Sequence, residues 1–530
     1  MATYFNKKHF SKLTIYVLFL GFISCKISPE EISTYTPLYC TPSNIVSNYP
    51  AGSYSSQRLN LEFFSEGAER LVAIYDNDSV LKEGDSLKIE INLKPSRLVL
   101  IPTAAKKYKN YSHSWKYPEM PFSSFHQIKI LSYKDDVLLD SLVNNYVLGV
   151  KGSDILPVVN LEVNEEFLFS ADSGCYVTGN SFNPSDEYNS GNYYLYKRRK
   201  QMSHVQIIDS ANEYLNDNLL FRIHGYITPL APQKSLRFYM KDDSELKNLL
   251  GVEHEMDKFI LRSSYSGWGW EIFVDGWIAD ACKELHLDVM SYYPTKVYLN
   301  GEYWGLHGLR ERLDLKAISK KYDIKMKKIV DADDKGYSYK DGEFGDLNTL
   351  IKKVKENPVF PFKEMKRQFK MKSLLDWVIV ELFFQNTDWP CNNTFFWKKV
   401  KKSGEWRAVL LDMDACVGKP GMNMFEFATK DRSPSLGGEL VTYLLNQPDF
   451  KILFQERVDY LLVNDLSTTT LLKKFNFYKH LFEPAVKEHY NRWNPDNGLS
   501  KYEDGLSRIE KFCNERPEAF KQNMKAYFNE

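Results

Sequence analysis

Apolar and polar residues alternate in short runs over the first part of the chain: Leu59–Phe64, Leu71–Tyr75, Ser86–Leu93, Arg97–Ile101, His126–Tyr133 and Val137–Val143. Turn sequences such as Glu83-Gly84-Asp85 separate them. A period of two marks strands with one buried face, so residues 49–153 are predicted to form a β-sandwich accessory domain. Beyond it, Leu156–Leu161 reads as a strand and Gly174–Gly179 as the close of a hairpin-like unit. Leu219–Ile223 and Leu236–Met240 are apolar strands joined by a loop from His224 to Ser235, and Lys258–Arg262 is another strand. Helical spacing begins at Glu271–Leu285, with Ile272, Phe273, Trp277, Ala281 and Leu285 apolar. Asp275, Asp280 and Glu284 read there as a solvated face. Lys296–Leu306 is a hairpin about Asn300-Gly301, a strong two-residue turn signal. Helical periodicity returns at Leu347–Val354 and Leu374–Phe384, and again from Leu440 onward as a helical cap. The class is α+β, with residues 154–530 as the second domain.

Composition narrows the possible functions. With 530 residues, 43% of them hydrophobic, the chain can bury several cores. Its 69 basic side chains balance its 69 acidic ones, so the footprint of a nucleic-acid binder is missing. The N-terminus carries an address. Lys7, Lys8 and Lys12 precede an apolar run from Leu13 to Ser24 that is too short to span a bilayer, and Cys25 follows directly. A small residue before that cysteine resembles a lipobox, so residues 1–25 are expected to be a lipoprotein signal peptide with Cys25 as the lipidated residue. Residues 26–48, rich in Ser, Thr, Pro and Glu, read as a tether. The protein is therefore expected at the cell envelope, lipid-anchored to the membrane. None of the later cysteines has C-x-x-C spacing, which argues against a zinc or dithiol site.

The candidate chemistry lies between Phe384 and Gly418. Asp388 stands five residues before Asn393, the spacing that in kinase catalytic loops pairs a proton acceptor with a metal-binding amide. Thr394–Val400 and Trp406–Leu411 read as a hairpin, and Asp412 and Asp414 leave its second strand. Two carboxylates at a strand end suit magnesium, which takes oxygen ligands, usually one or two carboxylates plus phosphate. Asp331–Gly336 is acidic too. It fails the calcium-loop template, because Lys335 takes a ligand position and no Glu follows at the required distance, so it reads as an acidic loop.

Several separated segments together resemble the CotH kinase family of atypical secreted or surface protein kinases. They are LPVVNLEV and GCYVTG (156–179), RIHGYITPLAPQKSLRFYM (222–240), KFILRSS (258–264), VYLNGEYWGLHGLRERLD (297–314), NTDWPCNN (386–393) and LLDMDACVG (410–418), with NRW (491–493) and ERPEAF (515–520) near the end. The resemblance implies a degenerate protein-kinase-like domain with a helical C-terminal part, ATP and Mg²⁺ as cofactors, and transfer of phosphate to a Ser/Thr hydroxyl of a protein substrate. Carried over by position, Asp388 is the catalytic aspartate. Asn393 and Asp412 are metal ligands and Asp414 a further one, with the choice between the two aspartates open. Lys234 and Arg262 are candidates to grip phosphates, and Glu311 to orient a partner or meet the adenine side. The chain lacks a full Gly-rich loop and a V-A-I-K lysine. Two other readings use the same residues: a non-catalytic surface-anchored binding lipoprotein, and a metal-dependent hydrolase acting through Asp388, Asp412 and Asp414. Nucleotide binding separates all three.

Overall fold

The computed structural model describes residues 35–529 except 77, 106–113, 152–154, 242–244, 334–346, 358, 402 and 432–434. The expected signal peptide, Cys25 and the first part of the expected tether lie outside the described residues.

The N-terminal strands form two layers. Arg58–Phe64 pairs with Ser86–Asn92, and this small sheet packs on one built from Arg70–Tyr75, Ser124–Lys134 and Val137–Leu148. Between the layers Leu59, Leu61, Phe63, Leu71, Ile89, Ile128 and Ile130 form a core of their own. The alternation of apolar residues accounts for this directly, since every second residue faces that core. The second layer does not stop at the sandwich, because Ser124 pairs with Glu302 and joins the accessory sheet to the sheet of the following domain.

Seven strands of that domain close into a barrel: β1 (Val158–Glu162), β2 (Gln201–Ile208), β3 (Glu213–His224), β4 (Ser235–Tyr239), β5 (Lys258–Arg262), β6 (Tyr293–Leu299) and β7 (Glu302–Glu311). Around the ring the order is β1-β2-β3-β4-β5-β7-β6, with β6 returning to β1 as the one parallel pair. Phe221, Phe238 and Phe259 are directly opposite one another on β3, β4 and β5, and their stacked rings lie in the barrel core. The residues between them in sequence must point outward, and this exterior face meets the rest of the domain.

Helix α1 (Val274–Cys282) follows β5 and packs with Phe273 and Trp277 in the main helical core. It starts at Val274, later than the periodicity predicts, because Ile272 has left-handed backbone (φ 53°). A second sheet carries β8 (Ile329–Asp333), β9 (Phe395–Lys399) and β10 (Arg407–Leu410). Between β8 and β9 runs α2 (Met371–Phe384), apolar nearly all round and buried accordingly. The C-terminal helices enclose it, ending in a long helix over Gly498–Phe528. No helix among the described residues is long and apolar enough to cross a membrane.

Three local expectations are corrected. Arg97–Ile101 is not a strand: Leu98–Leu100 form a 3-10 turn whose Leu98 N–H donates to the Glu302 carboxylate at 2.7 Å. Gly174–Gly179 does not close a hairpin. Cys175 and Tyr176 N–H groups donate to the carbonyls of Phe167 and Leu168, folding the segment back on the short helix Glu165–Phe169. Asp331 and Asp333 belong to β8, paired with Trp397 and Phe395, rather than to a loop; Asp334–Gly336 lie outside the described residues.

Candidate active site

Two segments meet at the exterior of the barrel. β5 delivers Arg262 at its end, on the same outward face as Ile260, and leaves it only 7% exposed. From there Arg262 reaches three carboxylates. Its Nη2 donates to Asp414 Oδ2 at 2.8 Å and also to Asp412 Oδ1, while its Nε lies 3.2 Å from Asp275 Oδ2 on α1. Arg310 of β7 donates to the same Asp275 oxygen, and the Met413 N–H donates to Asp275 Oδ1 at 3.2 Å. Asp275, read from the sequence as part of a solvated face, is in fact the buried hub between two arginines and the D-x-D turn.

The turn itself explains why both aspartates face inward. β10 ends at Leu410, Asp412 takes left-handed backbone (φ 56°), which an aspartate tolerates better than most residues, and Met413–Ala415 make one 3-10 turn. Asp414 becomes buried and also accepts from the Ser266 N–H at 3.3 Å. The Asp412 side chain keeps 40% of its surface exposed. Of the two, Asp412 is the one open to an incoming ligand.

Charge follows this arrangement. Burial and the neighbouring Asp412 charge push the Asp414 carboxyl up, against the pull of Arg262. Burial raises the Asp275 carboxyl as well, yet Arg310 and Arg262 more than offset it and hold it below its ordinary value. Burial works against the charge of Arg262, but Asp412, Asp414 and Asp275 together drive its pKa upward.

The second segment is the loop after α2. Gln385 caps the helix in left-handed backbone (φ 62°). Thr387 then donates from both its N–H and its hydroxyl to the Ala415 carbonyl, at 3.1 and 3.0 Å, and the Val417 N–H donates to Phe384 O at 2.8 Å. These bonds tie the Asp388 loop to the D-x-D turn. Asp388 N–H donates to the Asn386 side chain at 3.1 Å, and the Asp388 carbonyl accepts from the Asn392 N–H at 3.0 Å, which leaves the carboxylate at the surface. Asn393 is half-buried with φ 59°, and its Nδ2 is buried with no hydrogen-bond partner.

Behind the loop, Glu381 is fully buried in α2. Burial holds its carboxyl well above the usual range, with the Asn386 amide pulling the other way. A raised carboxyl pKa means that the folded state keeps a proton the unfolded chain has lost, so stability falls as pH rises above the ordinary carboxylate value. Glu381→Gln should therefore melt at a higher temperature than the native protein at pH 8, with the gap narrowing toward pH 4.5. Melting curves across that range check it, and a pH-independent difference would contradict it.

The donor set suits Mg²⁺. Among the described residues no group of three or more His, Cys, Asp or Glu side chains is gathered to hold a metal. Magnesium needs fewer, since it commonly rests on one or two carboxylates plus phosphate oxygens and water. Asp412 and Asp414 converge on a single cationic nitrogen of Arg262, so a positive charge already occupies the position between them.

Two residues transferred from the resemblance are not brought to these carboxylates. The Lys234 amine is buried, donating to Thr103 O at 2.7 Å and Ala231 O at 2.9 Å beneath the rings of Tyr176 and Tyr193, and burial lowers its pKa well below normal. Glu311 stands opposite Phe259, on the register of the barrel interior, beside His254 at 3.0 Å. Asp275 and Arg310 join this cluster although neither was expected there from the sequence. A signal was there: Asp275 sits between Val274 and Trp277 on the apolar side of its helix, where a carboxylate needs a partner.

Among solved structures, the crystal structure of a Helicobacter pylori proinflammatory kinase, CtkA, aligns at 11% identity over 57% of this chain and 94% of that one, with a TM-score of 0.23. No curated protein matches the chain. The family model described as CotH kinase protein matches residues 221–520, more than half of the sequence, and the chain belongs to that family.

Proposed function

We propose that this protein is a Mg²⁺-dependent protein kinase that passes phosphate from ATP to a Ser or Thr hydroxyl of a protein substrate. The carrying observation is the ion pair between Arg262, at the end of a barrel strand, and Asp275, on the helix that follows, set against both carboxylates of the D-x-D turn. Protein kinases use the same order: a basic residue on a strand paired with an acid on the next helix, then a catalytic loop, then a metal-binding aspartate. In this reading Arg262 holds phosphate oxygens, and Asp275 and Arg310 fix its direction. Asp388 accepts the proton of the substrate hydroxyl. Asn393, Asp412 and Asp414 would hold Mg²⁺, with Asp412 foremost because it is open. The metal supplies neutralisation of phosphate charge when bound. Lys234 and Glu311 have no part in it. Anchoring through a lipidated Cys25 at the cell envelope belongs to the same proposal.

Calorimetric titration with ATP, in Mg²⁺ and in chelator, tests it. Binding should require the metal, and Asp412→Ala should weaken it on the order of tenfold or more, the loss expected for a charged ligand. Equal ATP affinity with and without Mg²⁺ would overturn the reading.

A further inference from the structure

Directly opposed residues on neighbouring strands share a face, and the register sets Arg222, Arg237, Ile260 and Arg310 opposite one another across β3, β4, β5 and β7. The phenylalanine row occupies the barrel side, so this row lies outside, on the face that carries Arg262. It crosses three strand spacings, about 14 Å. His224 belongs to the same patch. Burial and the charges of Arg237, Arg312, Arg262 and Arg310 all push its pKa down, and Arg237 reaches its ring directly. Arg312 continues the chain just past β7, its N–H donating to the Lys258 carbonyl.

Arg262 and Arg310 are answered by Asp275, and Lys258 by Asp257 and Asp314. Arg222, Arg237 and Arg312 have no carboxylate within ion-pair distance among the described residues. Arg222 donates to the Tyr239 hydroxyl at 2.9 Å and Arg237 to His224 Nδ1 at 2.7 Å, both neutral acceptors. The Nε atoms of Arg237 and Arg312 are buried with no hydrogen-bond partner. Lys200, over the Tyr239 ring at 4.1 Å, adds another cation to this end. Burial and the neighbouring arginine charges lower the pKa of Arg312 to about 10, and burial and Arg222 lower that of Arg237, with the Asp314 carboxylate pulling both the other way.

If the phosphates of a nucleoside triphosphate rest on Arg262 and the D-x-D turn, one or two strands further along fall its sugar and base, which are neutral. Half-buried guanidinium groups there have only the Asp314 carboxylate to answer them, beyond ion-pair distance and already paired with Lys258. We propose that Arg222, Arg237 and Arg312 form a second phosphate subsite, so that the donor used by this protein carries phosphate at both of its ends. Two chemistries provide that: a linear inorganic polyphosphate longer than three units, or a nucleoside triphosphate with a further phosphate on its ribose. The inference rests on the kinase reading only for which end of the ligand meets the metal acids.

Titration of the full chain with ATP, inorganic tripolyphosphate, a long linear polyphosphate and 3′-phosphorylated ATP separates the cases. At least one of the two extended ligands should bind on the order of tenfold tighter than ATP, as a charge-assisted contact to each arginine implies. Which one does identifies the source of the phosphate. Arg237→Met and Arg312→Met should each erase that preference, and Arg222→Gln carries the test should either methionine variant fail to fold. The same comparison in chelator and in Asp412→Ala reads the subsite without the metal, so an extended-ligand preference that persists there upholds it even if the kinase reading fails. ATP binding as tightly as both extended ligands, or a preference unchanged in all the arginine variants, would overturn the proposal; the former would mark these arginines as a platform for stacking a base.

Discussion

Asp388→Asn should bind ATP with Mg²⁺ as the native protein does, yet transfer phosphate about 10²–10⁴-fold more slowly, the usual contribution of a positioned proton acceptor. The substitution preserves shape, and the loop that presents residue 388 is held by groups it leaves intact. Thr387 bonds Ala415 O, and the residue 388 N–H and carbonyl bond Asn386 and Asn392. The carboxylate projects to the surface, where a protein substrate can reach it. Rapid-quench measurement of transfer beside calorimetric binding checks the split. A parallel fall in affinity would move Asp388 into the binding machinery, and undiminished transfer would end its assignment as the base.

Arg262→Met should be among the most damaging single changes to stability. Removing the guanidinium leaves Asp275 with Arg310 alone and deprives Asp414 of its cation in a buried setting. Breaking a buried ion pair from one side costs about 3–5 kcal/mol. The sign of the pH effect follows from Asp414. Its carboxyl is already pushed upward with Arg262 present, and loss of the arginine pushes it further, so the variant gains relative to the native protein as pH falls and the acid takes up a proton. Urea unfolding at pH 7.5 and pH 5 should show a large deficit at the first and a smaller one at the second. Arg262→Lys keeps the charge but cannot fork between carboxylates, so it should recover only part of the loss. A deficit under 1 kcal/mol for Arg262→Met would mean that the cluster is solvated and the pairing weak.

Much of the scaffold was legible because its signals are local. Alternation placed the sandwich strands, Asn300-Gly301 marked the hairpin now formed by β6 and β7, and the apolar run before Asp388 became α2. The order of loop, hairpin and D-x-D pointed to Asp388, Asp412 and Asp414, and hydrogen bonds hold the two segments together. What the sequence could not reveal depends on register between distant strands. Nothing in a single run says that Arg222, Arg237 and Arg310 share a row, or that seven strands close on themselves through the parallel pair of β1 and β6. Asp275 was misread for the same reason: its partners come from β5 and β7, and the helix alone gives no hint of them. Lys234 was misplaced because a lysine on a loop after a strand resembles a phosphate grip, whereas here two backbone carbonyls and two aromatic faces satisfy its buried amine.

The proposed kinase activity requires one site shared by the Asp388 loop and the D-x-D turn. The most direct test is to incubate the native protein, Asp388→Asn and Asp412→Ala with ATP and Mg²⁺ and to map phosphoserine and phosphothreonine by mass spectrometry, on the proteins themselves and on a generic protein acceptor. The native protein should acquire or transfer phosphate only with Mg²⁺. Asp388→Asn should bind nucleotide without transferring, and Asp412→Ala should do neither. Phosphate transfer retained in both variants, or Mg²⁺-independent transfer by the native protein, would contradict the account.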